Sequence, residues 1–291
     1  MISLLQSLKK FNPEENSPLA PFTTWKIGGP AEILIKTNNS DELLEVLKIC
    51  TNHKTKYTIL GNGSNILISD RGIKGVVIIN KSKNIYLENS KNSENIESVN
   101  PEIPHRHPES GDDNFYSFKD LDYQEDGEKQ VVIFDSGVLL PIAINWTINN
   151  GLTGLQWYAG IPGSMGGSLY NNIHGGTRLF SEIFLSAELF IDRLETTYKK
   201  LRPDIKSDNI IQQTDNYLIY KADFDFFRFG YDKSLLREVD CVIVLKISMN
   251  LIKGDKAKAK YVATEWAKRK KMQPKVSCGS VFQCIPTDRQ K

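Results

Sequence analysis

Apolar and polar positions along the chain set out an alternation of strands and helices before any motif is considered. Residues 31–36, Ala-Glu-Ile-Leu-Ile-Lys, predict a strand. Asn39-Ser-Asp-Glu42 then has the form of a helix N-cap followed by a capping-box Glu, and Leu43, Leu44, Val46 and Leu47 supply an apolar helical face. Residues 57–60, 66–69 and 75–79 predict three more strands, so the first eighty or so residues read as a compact α+β unit. Order returns with a strand at Gln130-Val-Val-Ile-Phe-Asp135 and a helix over 140–149 that stops at Asn150-Gly151. Strands near 187–191 and 241–249 follow, then a helix over 256–271 that ends before Pro274. Strands outnumber helices and connections vary in length, which predicts an α+β fold rather than a regular βαβ array.

Between about Glu88 and Glu128 this pattern stops. Asn, Ser, Glu, Asp and Pro dominate, and too little apolar surface is present to offset the entropy of ordering the chain. The stretch is expected to be a mobile acidic insertion between two strands, with only Phe115, Tyr116 and Phe118 able to dock. His105 and His107 inside it have no further ligands clustered with them and read as part of a solvated loop.

Length and charge narrow the classes. A chain of 291 residues buries a sizeable core and favours more than one domain. A formal net charge of +2 gives no reason to expect a nucleic-acid or membrane partner, and Lys268-Arg269-Lys270-Lys271 reads as the solvated face of a helix. Cys50, Cys241, Cys278 and Cys284 lack the spacing of a disulfide framework or zinc site, and the first two read as core residues. With no long apolar segment, the expected setting is soluble, reducing and cytoplasmic.

Two glycine-rich segments carry the candidate chemistry. Gly61-Asn-Gly-Ser-Asn65 falls between predicted strands, where glycines allow close approach of backbone to a ligand and successive N–H groups can cradle an anion. Ser64 and Asn65 can hydrogen-bond a pyrophosphate without adding bulk; a tight strand–strand turn is an equal reading of the segment alone. It matches neither GxGxxG nor a P-loop, so nothing supports a nicotinamide Rossmann site. Gly160-Ile-Pro-Gly-Ser-Met-Gly-Gly167 has four glycines and a proline, which weaken any regular element and suit backbone lying against a large planar or phosphorylated ligand. Trp157 and Tyr158 just before it read as core. A branched side chain at Gly63 or Gly167 is expected to intrude on such a ligand.

Four segments in order, Thr24-Trp-Lys-Ile-Gly-Gly-Pro-Ala31, Leu60-Gly-Asn-Gly-Ser-Asn-Ile-Leu67, residues 154–167 and Gly279-Ser-Val-Phe282, resemble the UDP-N-acetylenolpyruvoylglucosamine reductases of the MurB type, with Phe229-Gly-Tyr-Asp-Lys-Ser234 resembling a fifth. The resemblance implies a bipartite FAD-binding fold of the p-cresol methylhydroxylase/vanillyl-alcohol oxidase type. It places FAD-binding units at 1–80 and 81–254 and the start of an incomplete C-terminal substrate domain at 255–291. It further implies NADPH as co-substrate, reduction of a nucleotide-sugar enolpyruvyl ether for peptidoglycan synthesis, and a monomer. By the same resemblance Ser280 is the proton donor. FAD would be held by Ile27, Gly28 and Gly29, by Gly61, Asn62, Gly63, Ser64 and Asn65, by Gly160, Ile161, Pro162, Gly163, Ser164, Gly166 and Gly167, and by Asn172. Tyr231 and Lys233 would touch substrate.

The sequence departs from the family pattern in three places. Asp232 stands where the family has an arginine that holds the enolpyruvyl group, and a carboxylate there repels a substrate carboxylate. His174 and Gly176 interrupt the family's Asn-x-Gly-Ala-Tyr-Gly; His174 is open to a role on flavin or substrate, or to being held by backbone hydrogen bonds. The family's later glutamate has no counterpart before Lys291, which reads as a C-terminal truncation. A related FAD-dependent oxidoreductase with another substrate, and a non-catalytic flavin-binding protein, therefore stand beside the reductase. Cys278 is the alternative proton donor to Ser280.

Overall fold

The computed structural model describes residues 3–88, 127–176 and 178–270. Ser280, Cys278, Cys284, His105, His107 and nearly all of the acidic stretch lie outside the described residues.

The first unit comprises α1 (Leu4–Leu8), β1 (Glu14–Pro18), β2 (Pro30–Thr37), α2 (Ser40–Asn52), β3 (Tyr57–Leu60) and β4 (Ile73–Asn80). Its sheet has the order β1-β2-β4-β3, with β2, β4 and β3 parallel and β1 antiparallel at the edge. Asn39 caps α2 by accepting from the Glu42 N–H at 2.8 Å, while the Glu42 carboxylate reaches back to the Asn38 N–H at 2.7 Å. Residues 66–69 are not a strand, which corrects the expectation. Ser69 O accepts from Gly29 and Gly72, and the segment joins no ladder.

The second unit runs through β5 (Ile85–Leu87), β6 (Lys129–Asp135), α3 (Leu140–Asn149), β7 (Leu152–Thr153), α4 (Met165–Asn171), β8 (His174–Gly175), β9 (Arg178–Leu179) and β10 (Phe184–Asp192). It continues with α5 (Tyr198–Leu201), β11 (Ile210–Gln213), β12 (Tyr217–Ala222), β13 (Val242–Lys253) and α6 (Lys256–Lys270). Its large sheet has the order β11-β12-β10-β13-β6-β5 with β7 against β13, all antiparallel. The two strands that bracket the acidic stretch, β5 and β6, are paired neighbours.

Helix α2 sits between the two sheets. Leu43, Val46, Leu47 and Cys50 pack on Ile33, Ile35, Val76 and Ile78 of the first sheet and on Phe190, Ile219 and Leu245 of the second. The opposite face of the large sheet is covered by α3, α4 and α6, and Ala259, Val262 and Trp266 of α6 share that core with Leu189, Ile247 and Met249. A register shift opposite Glu188 and Leu189 inserts one residue into β13, so Leu245 faces α2 while Val244 and Ile247 face the other side.

Cys50 and Cys241 are fully buried, as the sequence predicts. Burial, with Asp192 nearby, pushes the Cys50 thiol from 9.0 up to about 12, and the same two causes raise the Tyr57 phenol. Both groups hold their protons more tightly folded than unfolded. Their contribution to stability is therefore intact below about pH 9 and is lost as pH rises toward 12. Chemical denaturation is expected to show a falling midpoint across that window, with a shallower fall in Cys50→Ala.

Candidate functional site

Three backbone segments converge where the parallel strands of the first sheet end and α4 of the second unit begins. Gly61 to Asn65 leave the carboxyl end of β3, the side of an open parallel sheet where ligands bind. Ile27 to Gly29 lie beside them: Thr24 N–H donates to Gly63 O at 3.0 Å, and Thr23 Oγ1 donates to Ile27 O at 2.9 Å. The third segment crosses from the other unit. Ser64 Oγ donates to Pro162 O at 2.9 Å, and a Cβ on Gly61 would lie 2.5 Å from Ser164 Oγ. Ser64 is thus a strap between the loops, and its hydroxyl proton is engaged.

The segment 160–167 is half irregular and half helical, its last residues opening α4. Ser164 caps α4 by accepting from the Gly167 N–H at 3.3 Å, and Gly166 and Gly167 form the helix's first turn. Gly166 N–H donates to Ser136 O at 2.8 Å, which ties α4 to the end of β6.

The glycines divide by what surrounds them. Gly63, at φ +63°, has Phe22 O only 1.9 Å from the position of a Cβ, and Gly29 has Asp70 O at 2.2 Å. Gly160, at φ +85°, packs against Lys270 and Ala267. Chain packing alone requires glycine at these positions. At Gly167 it does not, with Ser164 Oγ the nearest neighbour at 3.4 Å; at Gly163 the space is open, Ser64 Oγ lying 3.8 Å away, and the backbone at φ +157° is what favours glycine. Missing side chains that packing does not demand mark a face left clear for something else. Beside that face, the N–H groups of Asn62, Gly63, Ser64 and Asn65 donate to no backbone carbonyl among the described residues. Clear glycine faces next to free donors fit a planar, phosphorylated group such as FAD.

Other expected site residues lie elsewhere. Asn172 is fully buried at the end of α4, where Nδ2 donates to Gly230 O at 2.8 Å and Oδ1 accepts from Ser181 N–H at 2.9 Å. It braces α4 to the turn at 230–233, and both polar ends of its amide are engaged. Lys233 on that turn pairs with Glu238 at 3.0 Å. Tyr231 stacks on His174 with centroids 5.0 Å apart. The His174 Nδ1 meets Asp232 Oδ1 at 3.1 Å, so a carboxylate partners the imidazole. Sequence reasoning noted both residues as oddities and missed their contact. Trp157 and Tyr158 are core residues, as expected. Lys270 is not simply solvated, since it packs on Gly160 and burial pushes its ammonium down.

Among the described residues no cluster of three His, Cys, Asp or Glu side chains suits a metal ion, and no helix is long and apolar enough to cross a membrane.

The two sheets and the glycine loops between them define the class, a bipartite α+β scaffold of the FAD-binding flavoprotein type. No family model matches the chain. The UDP-N-acetylenolpyruvoylglucosamine reductase of Clostridium novyi is 29% identical over 228 residues, covering 77% of this chain and 61% of that protein. The enzyme of the same name from Caldanaerobacter subterraneus is 25% identical over 287 residues, covering 97% and 74%. The crystal structure of the Thermus caldophilus UDP-N-acetylenolpyruvylglucosamine reductase (MurB) superimposes with a TM-score of 0.58 at 21% identity, over 94% of this chain and 75% of that one. The chain is a divergent relative of the MurB-type UDP-N-acetylenolpyruvoylglucosamine reductases, and it spans under two thirds of the Clostridium relative's length.

Proposed function

We propose that the chain is a flavin-dependent reductase that binds FAD non-covalently across the two glycine segments and acts with NADPH on UDP-N-acetylglucosamine enolpyruvate, yielding UDP-N-acetylmuramate for peptidoglycan synthesis. The observation that carries this reading is the clear face at Gly163 and Gly167 beside the free donors of residues 62–65. The named relatives support the substrate. Bound FAD would supply hydride transfer from NADPH to the enolpyruvyl double bond. The chain's share is to hold that group between its two units and to deliver one proton to the adjacent carbon. We assign the proton to the Ser280 hydroxyl, with FAD-binding units at 1–80 and 81–254, a substrate unit from 255, and a cytoplasmic monomer as the working form.

No His, Tyr or Cys occupies residues 61–65 or 160–167, so neither loop offers a side chain for covalent attachment. Acid precipitation of the reconstituted protein is expected to leave the flavin in solution. NADPH should bleach the bound flavin without oxygen, and the enolpyruvyl substrate should restore its colour. Ser280→Ala should keep the bleaching and lose the restoration, because only the second step places a proton on carbon. Protein that stays colourless after incubation with FAD would refute the reading.

A second reading, a related oxidoreductase with another substrate, is favoured by Asp232 standing where the family has an arginine and by its contact with His174 at 3.1 Å.

A further inference from the structure

Asp135 ends β6 at the junction of the two units and is fully buried. Val132 and Phe134 face the core covered by helices, so Asp135, one residue on, faces the first unit. There Oδ2 accepts from Asn84 N–H at 3.2 Å, while Oδ1 has no hydrogen-bond partner among the described residues. Ser40, in the first turn of α2, turns its N–H and hydroxyl toward the carboxyl.

The chain that joins the units, residues 80–84, is tied to the same corner. Asn80 Nδ2 donates to Ser136 Oγ at 2.9 Å, and Gly137 N–H donates to Ser82 Oγ at 3.0 Å. The residues just after Asp135 then seat the second glycine segment. Gly166 N–H donates to Ser136 O and Met165 N–H to Val138 O, each at 2.8 Å, and Leu140 N–H donates to Gly163 O at 3.0 Å.

An ionised carboxylate in this corner is poorly served, since one oxygen has a single backbone donor and the other has none. Burial therefore holds the Asp135 carboxyl above the ordinary 3.8 of an aspartate, against the pull of Asn84 N–H, of Ser40 and of Lys246, its cross-strand neighbour on β13. Glu188 of β10 opposite Lys246, Asp41 of α2 and Tyr86 of β5 are the other titratable groups gathered there.

We infer that Asp135 is a proton-operated latch: its neutral carboxyl lets the two units close and seats the second glycine segment, and its ionisation loosens both. The effect on a bound ligand rests on the flavin reading above; the effect on closure does not. Asp135 binds its proton more tightly in the closed junction than in the unfolded chain. Its stabilising effect is full below the ordinary carboxylate value and is lost as pH rises through the raised one. A bound pyrophosphate brings further negative charge to the backbone that Asp135 seats, so FAD affinity falls with pH in the same sense.

The test compares the unaltered protein with Asp135→Asn, a neutral side chain of the same shape, between about pH 4 and 8, below the alkaline range in which Cys50 and Tyr57 titrate. Thermal midpoints are measured without FAD, and FAD affinity by absorbance titration. The midpoint of Asp135→Asn, relative to the unaltered protein, is expected to rise steadily with pH. FAD affinity of the unaltered protein should fall by up to about tenfold per pH unit while Asp135 ionises, the limit for one proton, and Asp135→Asn should lose that fall. Lys246→Met, which removes the attracting cation, should move the fall to higher pH. A midpoint difference that does not change with pH overturns the inference. So does a fall in affinity that Asp135→Asn retains or that Lys246→Met leaves in place. Protein that binds no FAD at any pH refutes the flavin reading, and the melting profiles still decide the latch.

Discussion

Gly63→Val is expected to lower the thermal midpoint by roughly 10 °C or more, from a loss of about 4 kcal/mol or greater. Two independent penalties act. The residue sits at φ +63°, where a β-branched side chain is strained, and its Cβ would lie 1.9 Å from the Phe22 carbonyl oxygen. Backbone cannot yield as a flexible side chain does, so the loop and the Thr24–Gly63 hydrogen bond would both shift. Gly167→Val makes the opposite case. Gly167 is helical, and its Cβ would meet only Ser164 Oγ, at an ordinary 3.4 Å. Stability should change by no more than about 1 kcal/mol, since helix propensities of Val and Gly differ by little. Flavin affinity is nevertheless expected to fall about a hundredfold, roughly the 2.7 kcal/mol of losing close backbone contact. Thermal melts without FAD and fluorescence titrations with it separate the two effects. A stable Gly63→Val protein would deny the close approach to Phe22, and unaltered FAD binding by Gly167→Val would deny the cradle. The sequence alone treats both glycines alike, and only the surroundings distinguish a glycine the fold needs from one a ligand needs.

The same limit governs what else was legible. Strands β2, β4, β6, β10 and β13 and helices α2, α3 and α6 announce themselves because their apolar residues follow the period of the element or run continuously where both faces are buried. Strand β1, Glu-Glu-Asn-Ser-Pro, is invisible to that signal: it is an edge strand whose side chains are almost all exposed, held by backbone pairing to β2. Residues 66–69 carry the opposite error. Ile66 and Ile68 suggest a strand, yet Leu67 is 68% exposed and no neighbour offers a ladder. Helix α4 carries two glycines in its first turn, after Met165, because Ser164 caps it and Met165 and Leu169 are buried, so tertiary packing overrides weak propensity. The glycine segments themselves were readable as candidates from composition. Their meeting through Ser64 and Pro162, 98 positions apart, was not, and neither was the contact of His174 with Asp232.

Asp192→Ala is expected to cost roughly 3–5 kcal/mol, although the residue is remote from the glycine loops. Asp192 ends β10 in the second unit and is 4% exposed. Its Oδ2 accepts from Thr51 Oγ1 of α2 at 3.1 Å and from the Tyr57 hydroxyl of β3 at 3.0 Å, while Oδ1 accepts from Leu194 N–H at 2.9 Å. Two of these bonds join the two units, and removing the carboxylate takes the acceptor from two hydroxyl donors, one buried and one part-buried. Asp192→Asn should cost less than Ala, because one oxygen still accepts while the amide nitrogen confronts a donor. Tyr57→Phe should cost about 1 kcal/mol, and a double-mutant cycle with Asp192→Ala should show coupling of similar size. Tyr57 begins β3 and Gly61 follows its end, roughly 13 Å along the strand at ~3.3 Å per residue. The strand that carries the clasp therefore also aims the first glycine loop at the second. Asp192→Ala should accordingly weaken FAD binding as well as stability, whereas Gly167→Val weakens FAD binding alone. Full FAD affinity in a destabilised Asp192→Ala protein would mean that the cradle is set by the Ser64–Pro162 strap and not by the interface beneath it.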